Sequence, residues 1–121
     1  MIDRWRILRA LQSSWSQRTS TKWTAANPAL GQCSVTALVL QDQFGGRLLK
    51  TQVHDAWHFY NEIDGEVCDF TAQQFPQPLT YHHEPATRAE ALADTSLEQY
   101  QHLRDLFAQN WRECQSTTLV E

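Results

Sequence analysis

The sequence predicts an α+β fold: one domain over residues 1–121, with a central helix packed on a small antiparallel sheet and flanking helices near the two ends. Three features carry that prediction. Apolar residues recur every three or four positions in the first and last segments, which is helical spacing. A buried-type apolar run in the first half is closed by a glycine pair. After it come aromatic and β-branched segments joined by Asp64-Gly65, a two-residue hairpin turn.

Taken in order, Ile2 to Trp15 reads as a helix, because Ile2, Trp5, Leu8, Leu11 and Trp15 form one stripe. Ser16, Thr19, Ser20 and Thr21 make a polar connection, and Asn27-Pro28 marks a turn. Gly31-Gln32-Cys33 leads into a second helix over Ser34 to Phe44. Val35, Ala37, Leu38, Val39 and Leu40 make its first two turns apolar nearly all round, so it should be buried. Gly45-Gly46 ends it, since glycine takes the left-handed cap conformation without steric cost. Strands are expected over Arg47 to Val53, Trp57 to Ile63 and Glu66 to Thr71. Pro76, Pro78 and Pro85 mark a loop after Phe75. Thr87 to Ala93 reads as a short helix. Leu97 to Trp111 is a last amphipathic helix, with Leu97, Tyr100, Leu103, Leu106, Phe107 and Trp111 on its inner stripe.

Composition excludes several function classes. The chain has 41% hydrophobic and 20% charged residues, the balance of a folded domain rather than a disordered one. With 14 acidic against 10 basic residues the net charge is -4, which argues against a nucleic-acid partner. No apolar run approaches the roughly 20 residues that cross a bilayer, so no membrane partner is expected. The N-terminus, Met1-Ile2-Asp3-Arg4, has no apolar export segment, and a cytoplasmic location is expected. The three cysteines, Cys33, Cys68 and Cys114, lie far apart without a Cys-x-x-Cys pair. A zinc ribbon is excluded, and without an export signal no disulfide framework is expected.

The hairpin makes a more specific statement. If Asp64-Gly65 is the turn, Ile63 faces Glu66, Tyr60 faces Asp69 and His58 faces Thr71. One face is then His58, Tyr60, Glu62, Val67, Asp69 and Thr71, mostly polar. The other is Trp57, Phe59, Asn61, Ile63, Glu66, Cys68 and Phe70, mostly core. His58 and Asp69 become diagonal neighbours, about 7–8 Å apart at the backbone and within side-chain reach. A carboxylate so placed can fix the imidazole tautomer and stabilise its charged form. Cys33 stands at the start of the buried helix, where free N–H groups and the helix dipole favour an anion. A thiol there is favoured as the nucleophilic thiolate, and the same N–H groups can hold an oxyanion formed on a carbonyl.

The order Cys, His, Asp, with the cysteine at a helix start and the other two on neighbouring strands, is the pattern of papain-like and transglutaminase-like folds. The words Asn27-Pro28, Gly31-Gln32-Cys33-x-x-Thr36-Ala37-Leu38, Phe44-Gly45-Gly46, His58-x-Tyr60-Asn61-x-x-x-Gly65 and Asp69-x-Thr71-x-x-Gln74-Phe75 resemble the YunG-like family of small bacterial proteins. They span Asn27 to Phe75. The resemblance implies a papain-like cysteine-hydrolase fold and a Cys33-His58-Asp69 triad more than it implies a substrate. Papain-like enzymes also carry an amide side chain, usually Gln, six residues before the nucleophile, where it helps form the oxyanion hole. Asn27 stands six before Cys33 here, and Gln32 and Gln74 are further polar candidates. The chain is much shorter than papain, which removes most of the usual substrate cleft.

Each residue also has a plainer reading: Cys33 as a small buried hydrophobe, His58 as a half-buried strand residue, Asp69 as a strand-end turn with Thr71, Asn27 and Gln32 as cap or turn residues, Gln74 as surface. A zinc site built from Cys33, His54, His58 and Asp69 is a minor alternative, and His82-His83-Glu84 lacks a partner cluster. Cys68 and Cys114 are expected to be structural, and the tryptophans at 5, 15, 23, 57 and 111 core, with Trp23 also a candidate to line the cleft near Cys33. The expected function is a thiol hydrolase or acyltransferase acting on an amide or ester in a peptide, a protein or a small molecule, without cofactor or metal, as a monomer or homodimer. The alternative is a non-catalytic module that binds a peptide or small ligand.

Overall fold

A computed structural model describes residues 2–120, with side chains described through residue 114. The first helix, α1 (Arg4–Ser14), starts at Asp3, whose carboxylate accepts from the Arg6 N–H at 3.1 Å. Its buried face is Ile7, Ala10, Leu11 and Ser14; of the expected stripe Leu11 and Trp15 are buried, Ile2 and Leu8 pack partly buried against the core, and Trp5 faces outward. Trp5 is 67% exposed. The rotation follows from the small residues: α1 packs on the last helix, and Ser14 Oγ both donates to Ala10 O at 2.7 Å and accepts from Asn110 Nδ2 at 2.9 Å. Trp15 is core as expected, and its Nε1 donates to Thr36 Oγ1 on the central helix at 2.9 Å.

That central helix, α2 (Cys33–Phe44), is buried from Ser34 through Leu40. It packs on the sheet with one side and on the last helix with another. Gly45 ends it with φ 76° and an N–H bonded to Gln41 O. Gly46 has φ 82°, and a Cβ there would stand 2.0 Å from Glu62 O, so the chain can enter the sheet only through glycine.

The sheet holds β1 (Arg47–Val53), β2 (Ala56–Ile63), β3 (Glu66–Cys68) and β4 (Glu84–Pro85), all antiparallel, in the order β3-β2-β1-β4. Asp64 and Gly65 both have positive φ, as a type I′ turn requires, and Ile63 pairs with Glu66, Glu62 with Val67 and Asn61 with Cys68. The register is the expected one, but β3 stops at Cys68 instead of running to Thr71. Asp69 is the cause: its Oδ1 accepts from the Thr71 N–H at 3.2 Å and Thr71 Oγ1 at 3.3 Å, a local turn that competes with the ladder. A 3₁₀ turn over Ala72–Gln74 follows. β4 lies in the segment expected to be loop. It is two residues long and sits at the sheet edge, where proline is tolerated.

Helix α3 (Arg88–Ala93) is closed at its start by a reciprocal capping box of Thr87 and Glu90. Helix α4 (Leu97–Val120) runs past Trp111, where the apolar stripe ends. One cluster, including Ile7, Leu11, Trp15, Val35, Val39, Ile63, Leu103 and Phe107, fills the space between α1, α2 and α4. A second, of Ala37, Leu38, Leu48, Phe59 and Ala91, joins α2 to the sheet and α3. Among the described residues no helix is long and apolar enough to cross a membrane.

Candidate active site at the start of the central helix

Cys33 is the first residue of α2 and is half-buried. The residue before it, Gln32, takes the N-cap position with φ -96° and ψ 2° but gives no side-chain cap bond. The first N–H groups of a helix have no intrahelical partner, so the donors at the start of α2 are left to whatever lies beside Cys33. What lies there is a cleft of about 580 Å³, lined by Cys33, His58, Trp57, Gly31, Gln74 and Phe75 among others.

His58 comes from β2 and is 2% exposed. Its Nε2 lies 2.6 Å from Asp69 Oδ2. The Asp69 side chain is itself only 7% exposed, and a carboxylate has no proton to give in its charged form, so Nε2–H donates. Nδ1 is then the nitrogen left for Cys33. It is buried and makes no hydrogen bond of regular geometry. The ring is held on its faces by Tyr60, stacked at 5.9 Å, and by the edge of Phe75 at 5.0 Å. Burial pulls the His58 pKa down, yet the hydrogen bond to Asp69 and the interaction with Cys33 outweigh it and raise the value from 6.5 to about 9. The imidazole is therefore cationic at neutral pH. Cys33 and His58 both line the cleft, and Asp69, outside its lining, bonds to His58 Nε2.

The three amide side chains expected near an oxyanion hole all bond to other groups in the fold. Gln32 is fully buried away from the cleft: its Oε1 accepts from Thr19 Oγ1 at 2.9 Å and its Nε2 donates to Ser16 O at 3.5 Å. Asn27 Nδ2 donates to the Gln74 carbonyl at 3.3 Å. Gln74 does line the cleft, but its Oε1 accepts from the Gly31 N–H at 3.1 Å and its Nε2 donates to Thr71 O at 3.1 Å. Asn27 and Gln74 thus tie the segment leading into Cys33 to the turn that carries Asp69.

The mostly polar face of the hairpin is covered near His58. Tyr60 and Thr71 are buried with His58, because the chain after Phe75 folds back over them. Thr51 Oγ1 donates to Thr80 O and accepts from the His82 N–H, and the His83 N–H donates to Tyr60 Oη. That fold-back brings in a residue the sequence reading passed over: Tyr81 Oη donates to Asp69 Oδ2 at 2.7 Å. No periodicity links a loop tyrosine to a strand end, so only the aromatic Tyr81-His82-His83 run inside a proline-flanked loop hinted at burial. Trp57, expected in the core, is 39% exposed and lines the cleft, with Lys50 Nζ 4.4 Å from its ring centre. Trp23 packs against the main core. Cys68 is buried, which pushes its thiol up to about 11, consistent with a structural role. Among the described residues no three His, Cys, Asp or Glu side chains are grouped so as to hold a metal ion.

Comparison with known proteins adds the following. The YunG protein family matches residues 3–112 of the chain. A protein of Bacillus subtilis (strain 168), described as the uncharacterized protein YunG, is 55% identical over 100 residues, which cover 83% of this chain and 87% of that one. No solved structure matches.

Proposed function

The chain belongs to the YunG family, and we propose that it is a thiol hydrolase or acyltransferase with a papain-like arrangement, acting on an amide or ester bond through Cys33, His58 and Asp69. The observation that carries the reading is the state of His58. It is a buried imidazole with one nitrogen fixed by a carboxylate, and the Cys33 side chain interacts with the same ring and helps to raise its pKa. A cationic imidazole beside a thiol favours the thiolate, the nucleophilic form of cysteine.

In the proposed reaction His58 already holds the Cys33 proton, the two resting as a thiolate–imidazolium pair, in keeping with the raised His58 pKa. The sulfur attacks the carbonyl carbon, a C–S bond forms, and the C=O electron pair moves onto oxygen. Backbone N–H groups at the head of α2 stabilise that oxyanion. As the C=O bond re-forms, the C–N or C–O bond breaks and the leaving group takes the His58 proton. Water, or another nucleophile in a transfer reaction, then gives a proton to His58 and adds to the acyl carbon. The C–S bond breaks, sulfur leaves as the thiolate, and the thiolate–imidazolium pair is restored. Asp69 holds the imidazole in one tautomer throughout. Peptide hydrolysis, side-chain deamidation and transamidation all fit these steps.

The test is the pH dependence of Cys33 alkylation by iodoacetamide, read at that residue by mass spectrometry, in the wild type, His58→Ala and Asp69→Asn. The reading expects reaction at pH 6 that His58→Ala abolishes and Asp69→Asn weakens. A Cys33 that is inert below pH 8, or indifferent to His58, refutes it and leaves the ligand-binding module.

A further inference from the structure

Asp69 carries more donors than a partner of His58 needs. A carboxylate offers about four lone-pair positions, and all are used here. Oδ1 accepts from the Thr71 N–H and Thr71 Oγ1, and Oδ2 accepts from His58 Nε2 and Tyr81 Oη. The Tyr81 ring is fixed as firmly as its hydroxyl. It meets Tyr60 edge-on at 5.0 Å and stacks on His83 at 5.8 Å. Thr51 and Tyr60 pin the backbone on both sides of it.

We propose that Tyr81 is a positioning residue of this site: its hydroxyl shares Asp69 Oδ2 with His58 and so limits how strongly that carboxylate holds the imidazole proton. The proposal rests on the hydrolase reading. A neutral donor on Oδ2 spreads the carboxylate charge and weakens its pull on Nε2–H. A more weakly held imidazolium is a better acid toward a leaving group. Burial and Asp69 both raise the Tyr81 pKa, so the hydroxyl keeps its proton over the range in which His58 titrates. The titratable groups facing His58 are Asp69 beyond β3, Cys33 from α2, Tyr60 on β2 and Tyr81 from the loop. His83 lies one ring further, on Tyr60, and His54 and Asp55 share the cleft.

The experiment follows the His58 ring nitrogens by NMR in the full ¹⁵N-histidine-labelled chain, in the wild type, Tyr81→Phe and Asp69→Asn. Tyr81→Phe keeps the ring and removes only the hydroxyl. It should raise the His58 pKa, an about three- to tenfold change in its ionisation constant, whereas Asp69→Asn lowers it. A merely structural tyrosine would loosen Asp69 on removal and lower the value, so an unchanged or lowered pKa in folded Tyr81→Phe overturns the proposal. If Tyr81→Phe does not fold, ¹³C-tyrosine spectra of the wild type serve instead. The Tyr81 ζ-carbon should shift as His58 ionises, and no inflection there overturns the proposal. The Cys33 alkylation profile separates the two failures. A Cys33 that answers to His58 without a rise in Tyr81→Phe refutes the tyrosine's role alone. A Cys33 that ignores His58 refutes the hydrolase reading and the role with it.

Discussion

Raising the pH from 6 to 9.5 should remove a measurable part of the folding free energy through one group, His58. Its pKa stands at 6.5 when exposed and about 9 in the fold, because Asp69 and Cys33 more than offset the cost of burial. A raised pKa means that the folded state binds the proton more tightly than the unfolded chain does. The stabilisation is complete below 6.5, declines as the pH climbs, and is gone above about 9. At about 1.4 kcal/mol per unit, the difference amounts to roughly 3 kcal/mol. For a domain of this size that corresponds to a shift on the order of 10 °C in Tm or about 1–2 M in the urea midpoint. Urea unfolding of wild type and His58→Gln at pH 6.0 and 9.5 isolates it, since every other titrating group is common to both. The stability advantage of the wild type over His58→Gln should shrink by about 3 kcal/mol between the two pH values. An advantage that stays flat, or grows with pH, would refute the assignment of a cationic His58 paired with Asp69.

Three further outcomes are expected. Gly46→Ala should destabilise the fold by on the order of 3 kcal/mol in urea unfolding, because a Cβ at φ 82° meets the Glu62 carbonyl backbone at 2.0 Å. Cys68 should resist iodoacetamide in the native chain up to pH 9 and react only after unfolding, since it is buried and its thiol is pushed up to about 11; native labelling seen by peptide mapping would contradict this. Gln74→Ala should cost about 1–3 kcal/mol in thermal unfolding by leaving the Gly31 N–H and Thr71 O unpaired, and Gln74→Glu, which keeps the acceptor for Gly31, should recover part of it.

What the residues disclosed in advance follows a physical pattern. The central helix and the hairpin are local: an apolar run stopped by Gly45, and a turn whose two positive-φ positions suit Asp64 and Gly65. From the hairpin register alone His58 and Asp69 were placed on one face, and they are in contact. On α1 the expected stripe holds at Leu11 and Trp15 but fails at Trp5, because Ala10 and Ser14 are buried in its stead. The orientation of Gln32 and Gln74 was not legible, because the direction of a carboxamide is decided by loop partners far away in sequence, Thr19 and Gly31. Tyr81 was hidden for the same reason. Its contact depends on a return of the chain that proline and histidine in a loop do not encode by spacing.

The early end of β3 explains why the site exists where it does. Had the ladder continued through Asp69, that residue would stand opposite Tyr60, with its backbone about 7–8 Å from that of His58 on the diagonal. Instead the Asp69 turn onto Thr71 swings the carboxylate until Oδ2 is 2.6 Å from Nε2. The same break leaves the flank of β2 at His58 without a strand neighbour, since the pairing with β3 ends at Asn61. The vacancy is filled by Phe75 from the 3₁₀ turn and by Tyr81 from the returning loop. A residue type depleted in strands thus does two things at once: it stops the strand, and it supplies the acceptor that the buried imidazole requires. Gln74, at the end of the same turn, then bonds to Gly31 and fixes the whole corner against the head of α2, where Cys33 lies. Strand termination, histidine charge and cysteine placement are consequences of one seven-residue segment, 69–75.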